Sequence, residues 1–457
     1  MSLYGYYRKT TPNLERLVEE GNFTVYTRCF SPAPWTVPAH VSLFTGLYPA
    51  EHLIDGSNFF LSDKFFTLPE ILKSIGYKTF GISANALISK LFGFARGFDE
   101  FYELWNIFSE GKKEKQITKN FIGKKDLEKL KILIKSISDN NLNSFIKVFI
   151  NAIYKKARPI SKSATFSTLK ALKIYKKIIS KNTQLPIFLF INLMQTHDKY
   201  NPPTKYRNVF VKDNPVMDRR HHKESEYIHY AVNPFDKQYL EYLKGLYDQE
   251  ILFLDTILYE MFKELKTELQ DNTLFIITSD HGELFGEHGH IHHLFTTYNE
   301  LIHVPLLIRY PEKYSQKTSS NSNLIQLHDI FSTIMDLVDA PFPKPQSSIS
   351  IIGSEKRDFS ISQLLDVEFK IEACKQRNPN FNKNEFPYNC SEISLINKKL
   401  YKLVLRSNGY KALYNLNNDF AEEKNLINER VFSSILSEYE MDLPRYLMTW
   451  KTWLEKK

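Results

Sequence analysis

Two apolar runs constrain the fold of this chain most. Ile187 to Met194 is nearly continuous in apolar residues and is introduced by Pro186, the pattern of a strand buried on both faces rather than of an alternating one. Leu274-Phe275-Ile276-Ile277-Thr278 is a second such run. Strands of this kind belong to mostly parallel sheets covered by helices, so an α/β domain is expected. In open α/β sheets the ligand groups gather beyond the carboxyl ends of the strands. Both runs end in such groups: the first in Gln195-Thr196-His197-Asp198-Lys199-Tyr200, the second in Ser279-Asp280-His281-Gly282-Glu283. A carboxylate and an imidazole side by side, followed by glycine, suit a hard to borderline divalent cation; the competing reading is a polar turn at a strand end.

A third stretch, Ser31 to Pro49, has the composition of a stiff turn followed by a helix. Pro34 and Pro38 bracket Trp35, Thr36 and Val37 and disfavour helical backbone before each proline, which predicts Thr36 on a non-helical turn. Pro38 then opens a short helix through Val41, Leu43 and Phe44 that stops at Gly46. Thr36 would stand at a helix N-terminus, where free N–H groups and partial positive charge favour an anion. Read alone, this favours a capping threonine over a nucleophile.

Taken together these segments resemble the sulfatase family of the alkaline phosphatase superfamily. Tyr4 to Leu17 is similar to its Tyr-Gly-Tyr and Thr-Thr-Pro-Asn-Leu-x-x-Leu segment, and Thr36 to Gly46 to its nucleophile segment, Cys or Ser, x, Pro, Ser, Arg and a short helix ending Thr-Gly. Thr36 takes the nucleophile position, Ala39 that of the serine and His40 that of the arginine. The Asp280-His281-Gly282-Glu283 run, Gly286-Glu287-His288-Gly289-His290, Glu300 and His303-Val304-Pro305-Leu306 follow in the family's order. The resemblance implies an alkaline phosphatase-like α/β sandwich with a central, mostly parallel sheet and a small C-terminal α+β subdomain. Residues 1–340 would form the catalytic domain, with a basic helical insertion over 106–181, and residues 341–457 the C-terminal subdomain. It further implies a divalent cation, Ca, Mg, Mn or Zn without distinction, on Asp280, His281 and Thr36. His40 would orient Thr36, and His197 and His293 would contact the ester anion or its leaving group.

The departures matter. Oxidation of a threonine would give a ketone rather than the formylglycine aldehyde, so Thr36 is expected to act as an unmodified hydroxyl. In the family an apolar strand ending in metal-binding aspartates precedes the segment that begins here at Tyr4; the chain as written is therefore expected to lack that beginning. The expected function is a metal-dependent hydrolase of sulfate or phosphate esters, with a small-molecule, glycan or lipid substrate. The alternatives are a phosphoryl-group transferase to a glycan or lipid, and an inactive sulfatase-like binding protein.

Charge and cysteine usage narrow the partners. The net charge of +8 is local: residues 106–181 hold 19 Lys and Arg against 5 Asp and Glu, so the remainder is acidic and no nucleic-acid partner is expected. Within that stretch Leu127, Leu130, Leu133, Ile134 and Ile137, and then Leu142, Phe145, Ile146, Phe149 and Ile153, keep helical spacing, which predicts a solvated helix pair or, alternatively, a peripheral membrane contact. Cys29, Cys374 and Cys390 are too few and scattered for a disulfide framework, and neither an apolar span nor a signal-peptide pattern is seen, so a cytoplasmic location is expected. Oligomeric state is not encoded in any pattern found.

Overall fold

The computed structural model describes residues 1–105, 160–181, 186–228, 236–315, 318–377 and 381–429, with 433, 435, 437 and 439. Pro12 occupies the first turn of α1 (Pro12–Glu19), where its missing N–H has no partner to lose, and Leu14 and Leu17 bury its inner face. Strands β1 (Thr24–Tyr26) and β2 (Cys29–Phe30) then deliver the chain to α2 (Thr36–Thr45). Gly46 ends α2 at φ 73°, a conformation that glycine adopts without Cβ strain. The non-helical turn expected at Thr36 is not observed: Thr36 is the first residue of the helix, and Trp35, at φ −159°, is its cap. Proline is tolerated at the third helical position because first-turn N–H groups lack partners within the helix.

Helix α3 (Leu68–Ser74) leads to β3 (Lys78–Ser83), β4 (Glu100–Glu103), α4 (Ile160–Lys181) and β5 (Ile187–Asn192). β3 lies between β4 and β5 and is parallel to both. The two helical patterns expected between Leu127 and Ile153 lie outside the described residues. α4, the end of the basic stretch, packs Ala171 and Ile178 against Phe80 and Ile82 of β3.

Two helices follow, α5 (Pro215–Ile228) and α6 (Lys237–Glu264). The sequence from Val211 to Lys237 has no clear period and reads as a surface excursion, yet α5 forms within it. Tertiary contacts supply what periodicity lacks: Asp218 receives hydrogen bonds from Arg207 at 2.8 Å and Tyr242 at 2.6 Å, and His221 is buried.

Next come β6 (Phe275–Thr278), β7 (Leu284–Phe285), β8 (Ile291–His292), β9 (Leu306–Arg309), β10 (Ser320–Asn321), β11 (Ile325–Gln326) and α7 (Asp329–Leu337). The second sheet has the order β10-β1-β9-β6, with β1 parallel to β10 and β9 antiparallel to its two neighbours. A C-terminal antiparallel meander follows, β12 (Phe359–Leu364), β13 (Glu392–Asn397), β14 (Tyr401–Arg406) and β15 (Lys411–Asn415).

β5 and β6 are thus edge strands of two different sheets. A cavity of about 1140 Å³ is lined by Phe188, Phe190 and Ile191 from one and Phe275, Ile276 and Ile277 from the other. This explains a second difference from expectation. Every residue of β5 is half-buried, although its apolar run predicts full burial, because one edge of the strand borders the cavity.

Candidate active site

The site assembles at the carboxyl ends of β5 and β6, beneath the first turn of α2. Thr36 Oγ1 and His281 Nε2 are 3.2 Å apart, and His281 Nδ1 donates to the Gly282 carbonyl at 2.9 Å. That second bond places the ring proton on Nδ1 and leaves the Nε2 lone pair facing the Thr36 hydroxyl. Thr36 is buried and makes no side-chain bond to the N–H groups of its own helix, so its hydroxyl is not acting as a cap.

His40, one turn further along α2, donates from Nδ1 to the Thr36 carbonyl at 2.8 Å and accepts at Nε2 from Asn192 Nδ2 at 3.2 Å. Its imidazole also lies 3.4 Å from Asp280 Oδ2. His40 therefore ties α2 to the end of β5 and to Asp280, two residues past β6, holding Thr36 through its backbone. Burial lowers the His40 pKa, against the opposing pull of the Asp280 carboxylate and the Thr36 carbonyl. Burial alone would raise the Asp280 pKa, but His281 and His40 outweigh it and hold the carboxyl below its usual value. Asn192 Oδ1 is buried without a hydrogen-bond partner among the described residues.

Two more imidazoles complete the wall. The His293 ring centroid is 4.2 Å from that of His281 and 5.2 Å from that of His197, whose Nδ1 donates to the Asp198 carbonyl at 2.8 Å. All the site residues inferred from sequence, Thr36, His40, His197, Asp280, His281 and His293, are thereby brought together. The sequence reading did not assign roles to Asn192, Tyr200 or Glu283. Glu283 accepts from His293 Nδ1 at 3.0 Å and from the Tyr200 hydroxyl at 3.2 Å. Its place three residues after Asp280, on the same strand exit, was the available signal. Burial pushes the Glu283 carboxyl up to about 7, and burial together with Glu283 pushes Asp198 up to about 8.

The segment carrying His293 is unusual in its backbone. His292, Leu294 and Phe295 have φ of 69°, 97° and 70°, a region that costs non-glycine residues about 1–3 kcal/mol each. The C-terminal meander holds the chain just beyond. Glu392 of β13 accepts from Thr297 N at 2.6 Å, and Lys402 of β14 donates to the Thr297 carbonyl at 2.6 Å.

Asp280 Oδ2, His281 Nε2 and Thr36 Oγ1 form a chain of neighbours, 3.5 Å and 3.2 Å apart. An anionic oxygen, an imidazole nitrogen and a hydroxyl in such proximity fit a hard to borderline divalent cation. They supply part of a shell: among the described residues no group of three or more His, Cys, Asp or Glu is spaced to hold a metal ion.

A sulfatase family model matches residues 1–340, and the C-terminal model of N-sulphoglucosamine sulphohydrolase matches residues 286–447. Arylsulfatase K of Canis lupus familiaris is 28% identical over 209 residues, 45% of this chain and 36% of the relative. Iduronate 2-sulfatase of Mus musculus is 22% identical over 377 residues, 74% of this chain and 62% of the relative. The chain thus spans less than two thirds of the length of these relatives. Among solved structures, the phosphonate monoester hydrolase of Agrobacterium radiobacter superposes with a TM-score of 0.69 at 17% identity, covering 99% of this chain and 93% of that one. The fold is accordingly the alkaline phosphatase-like α/β fold, and, with the family model covering residues 1–340, the chain belongs to the sulfatase family.

Proposed function

We propose that this chain is a metal-dependent hydrolase of sulfate or phosphate esters that uses Thr36, unmodified, as its nucleophile. The observation that carries the reading is the Thr36 Oγ1 to His281 Nε2 contact of 3.2 Å at a buried helix terminus, with His40 bonded to the Thr36 carbonyl and Asp280 beside both rings. Thr36 Oγ would attack sulfur or phosphorus, forming the threonyl ester as the bond to the leaving oxygen breaks. The Thr36 hydroxyl gives up its proton to solvent before attack, and the leaving oxygen takes a proton from His293 or His197. Water then cleaves the threonyl ester and restores the hydroxyl. Asp280 and His281 would hold the divalent cation, which when bound lowers the hydroxyl pKa and neutralises ester oxygens. His40 keeps Thr36 in register through its carbonyl.

The strands β5 and β6 border the same cavity as Asp280 and His281. The substrate is a sugar sulfate or a phosphate ester of similar size; the likeness to iduronate 2-sulfatase supports the first. The three cysteines, all free and buried, support a reducing, cytoplasmic setting. No helix among the described residues is long and apolar enough to cross a membrane.

The deciding experiment is a panel of an aryl sulfate, a phosphate monoester and a phosphodiester, each assayed with added Ca, Mg, Mn or Zn, with intact-mass measurement of the Thr36 peptide. Turnover of at least one substrate by a chain with unmodified Thr36 is expected. Absence of turnover under every metal would overturn the hydrolase reading. It would leave the second one, a sulfatase-like binding protein, which the two-residue cation shell favours.

A further inference from the structure

We propose that the outer face of α4 docks on an anionic lipid bilayer. α4 carries six lysines and no acidic residue, within the stretch that holds the chain's excess positive charge. Its inner side is packed: Ala171 and Ile178 lie against β3, and Leu172 and Tyr175 against Phe253 and Ile257 of α6. Its outer side is open to solvent. Phe166 and Leu169 are 44% and 49% exposed, and the exposed Lys173, Lys177 and Lys181 follow at three- and four-residue steps, which keeps all five on one stripe. That stripe is about 22 Å long. Lys176, nearer the body, is engaged by Glu264 at 3.3 Å and Glu260 at 4.0 Å, whereas the stripe's three lysines form no ion pair with another described residue.

Two chemistries share the stripe, and an anionic bilayer satisfies both: ammonium groups meet the headgroups while the phenylalanine and leucine enter the boundary with the acyl chains. A soluble polyanion would leave Phe166 and Leu169 in water, and an apolar protein surface would leave the lysines without counter-charge. The apolar end of the stripe stands at the candidate active site. Thr168 Oγ1 donates to Gln195 Oε1 at 3.0 Å and Gln195 Nε2 donates to Thr165 Oγ1 at 3.3 Å, and Gln195 is two residues before His197. Tyr206 packs against the cluster that holds Leu172 and Tyr175, and Lys205 and Val209 on either side of it are exposed, so the same surface continues past α4. Docking along α4 therefore holds the catalytic end of the sheet close to the lipid headgroups.

Binding of this kind is independent of what the site hydrolyses, so the test uses no substrate. The full chain is floated with vesicles of phosphatidylcholine alone, or of equal parts phosphatidylcholine and phosphatidylglycerol, at low and at high salt. Partition into the phosphatidylglycerol vesicles should be higher by about tenfold or more and should fall as salt rises. Phe166→Ser with Leu169→Ser should lower that partition by about tenfold, and Lys173→Gln with Lys177→Gln by a similar factor. All four side chains are exposed, so both variants should melt with the parent. Equal partition into the two kinds of vesicle, or binding to neither, would overturn the proposal, and that measurement needs no variant. So would undiminished vesicle binding by the Phe166→Ser, Leu169→Ser chain, because lysines on any polyanion would then suffice. A fall in its melting temperature or a change in its oligomeric state would also overturn it, by showing the stripe covered by another part of this chain or by a second copy.

Discussion

Replacing Thr36 by Ala separates a nucleophile from a structural threonine by the ratio of two losses. The cap of α2 is Trp35, and no side-chain bond reaches its N–H groups, so the cost of about 1 kcal/mol for losing a cap does not apply. What disappears is one hydrogen bond to His281, worth a net 0.5–1.5 kcal/mol or so, and one buried methyl, worth about 0.8 kcal/mol. A total of about 2 kcal/mol lowers the melting temperature by roughly 8 °C or less in a chain of this size. Loss of the attacking oxygen is of a different order: a thousandfold fall in turnover corresponds to about 4 kcal/mol of barrier. Thr36→Ser keeps the hydroxyl and should retain a measurable fraction of activity. The assay pairs initial rates on the best ester of the panel with thermal melting of the same preparations. Turnover of Thr36→Ala within about tenfold of the parent, or an activity loss that tracks fraction unfolded, would refute the nucleophile assignment.

Asp280→Asn should weaken cation binding by about tenfold or more in calorimetry and lower metal content in elemental analysis; unchanged content would remove Asp280 from the site. Burial pushes the Glu250 carboxyl up to about 8, against hydrogen bonds from Gln195 and from Asn201 N that favour the charged form. Its folded pKa lies above its unfolded one, so the native state binds the extra proton and stability should fall as pH rises from about 4.5 to about 8. Glu250→Gln should flatten that fall in urea titrations at several pH values. Lys402 and Glu422 are fully buried 2.8 Å apart, so Lys402→Met should cost about 3–5 kcal/mol by stranding Glu422, while Lys402→Met with Glu422→Gln should cost less. Equal losses in the single and double variants by urea denaturation would contradict this.

Local pattern carried a good deal of the fold. The mixed three- and four-residue apolar spacing from Tyr239 to Leu265 predicts a helix, and one forms over Lys237–Glu264 with Leu243, Leu246 and Ile251 buried. The stretch Asp329 to Leu337 likewise reads as a helix, and α7 has those bounds. Local pattern does not mark β13: the whole strand is buried, yet polar residues such as Ser394 and Asn397 interrupt its apolar pattern.

What the sequence by itself determined was the set of chemical groups and the strand ends and helix terminus that bear them: Thr36 in a proline-bracketed stretch, and His197 and Asp280-His281 each following an apolar run. Those are local properties, set by a few consecutive residues. The tertiary structure alone decided that His281 presents Nε2 to Thr36, that Thr36 bonds His281 across 245 positions rather than capping its own helix, and that Glu283 and Tyr200 stand behind His293. It alone also decided that β5 and β6 border a cavity instead of pairing with each other. The physical reason is the same in each case. Hydrogen-bond direction, tautomer and strand pairing depend on angles and separations between residues distant in the chain, and no local periodicity encodes them.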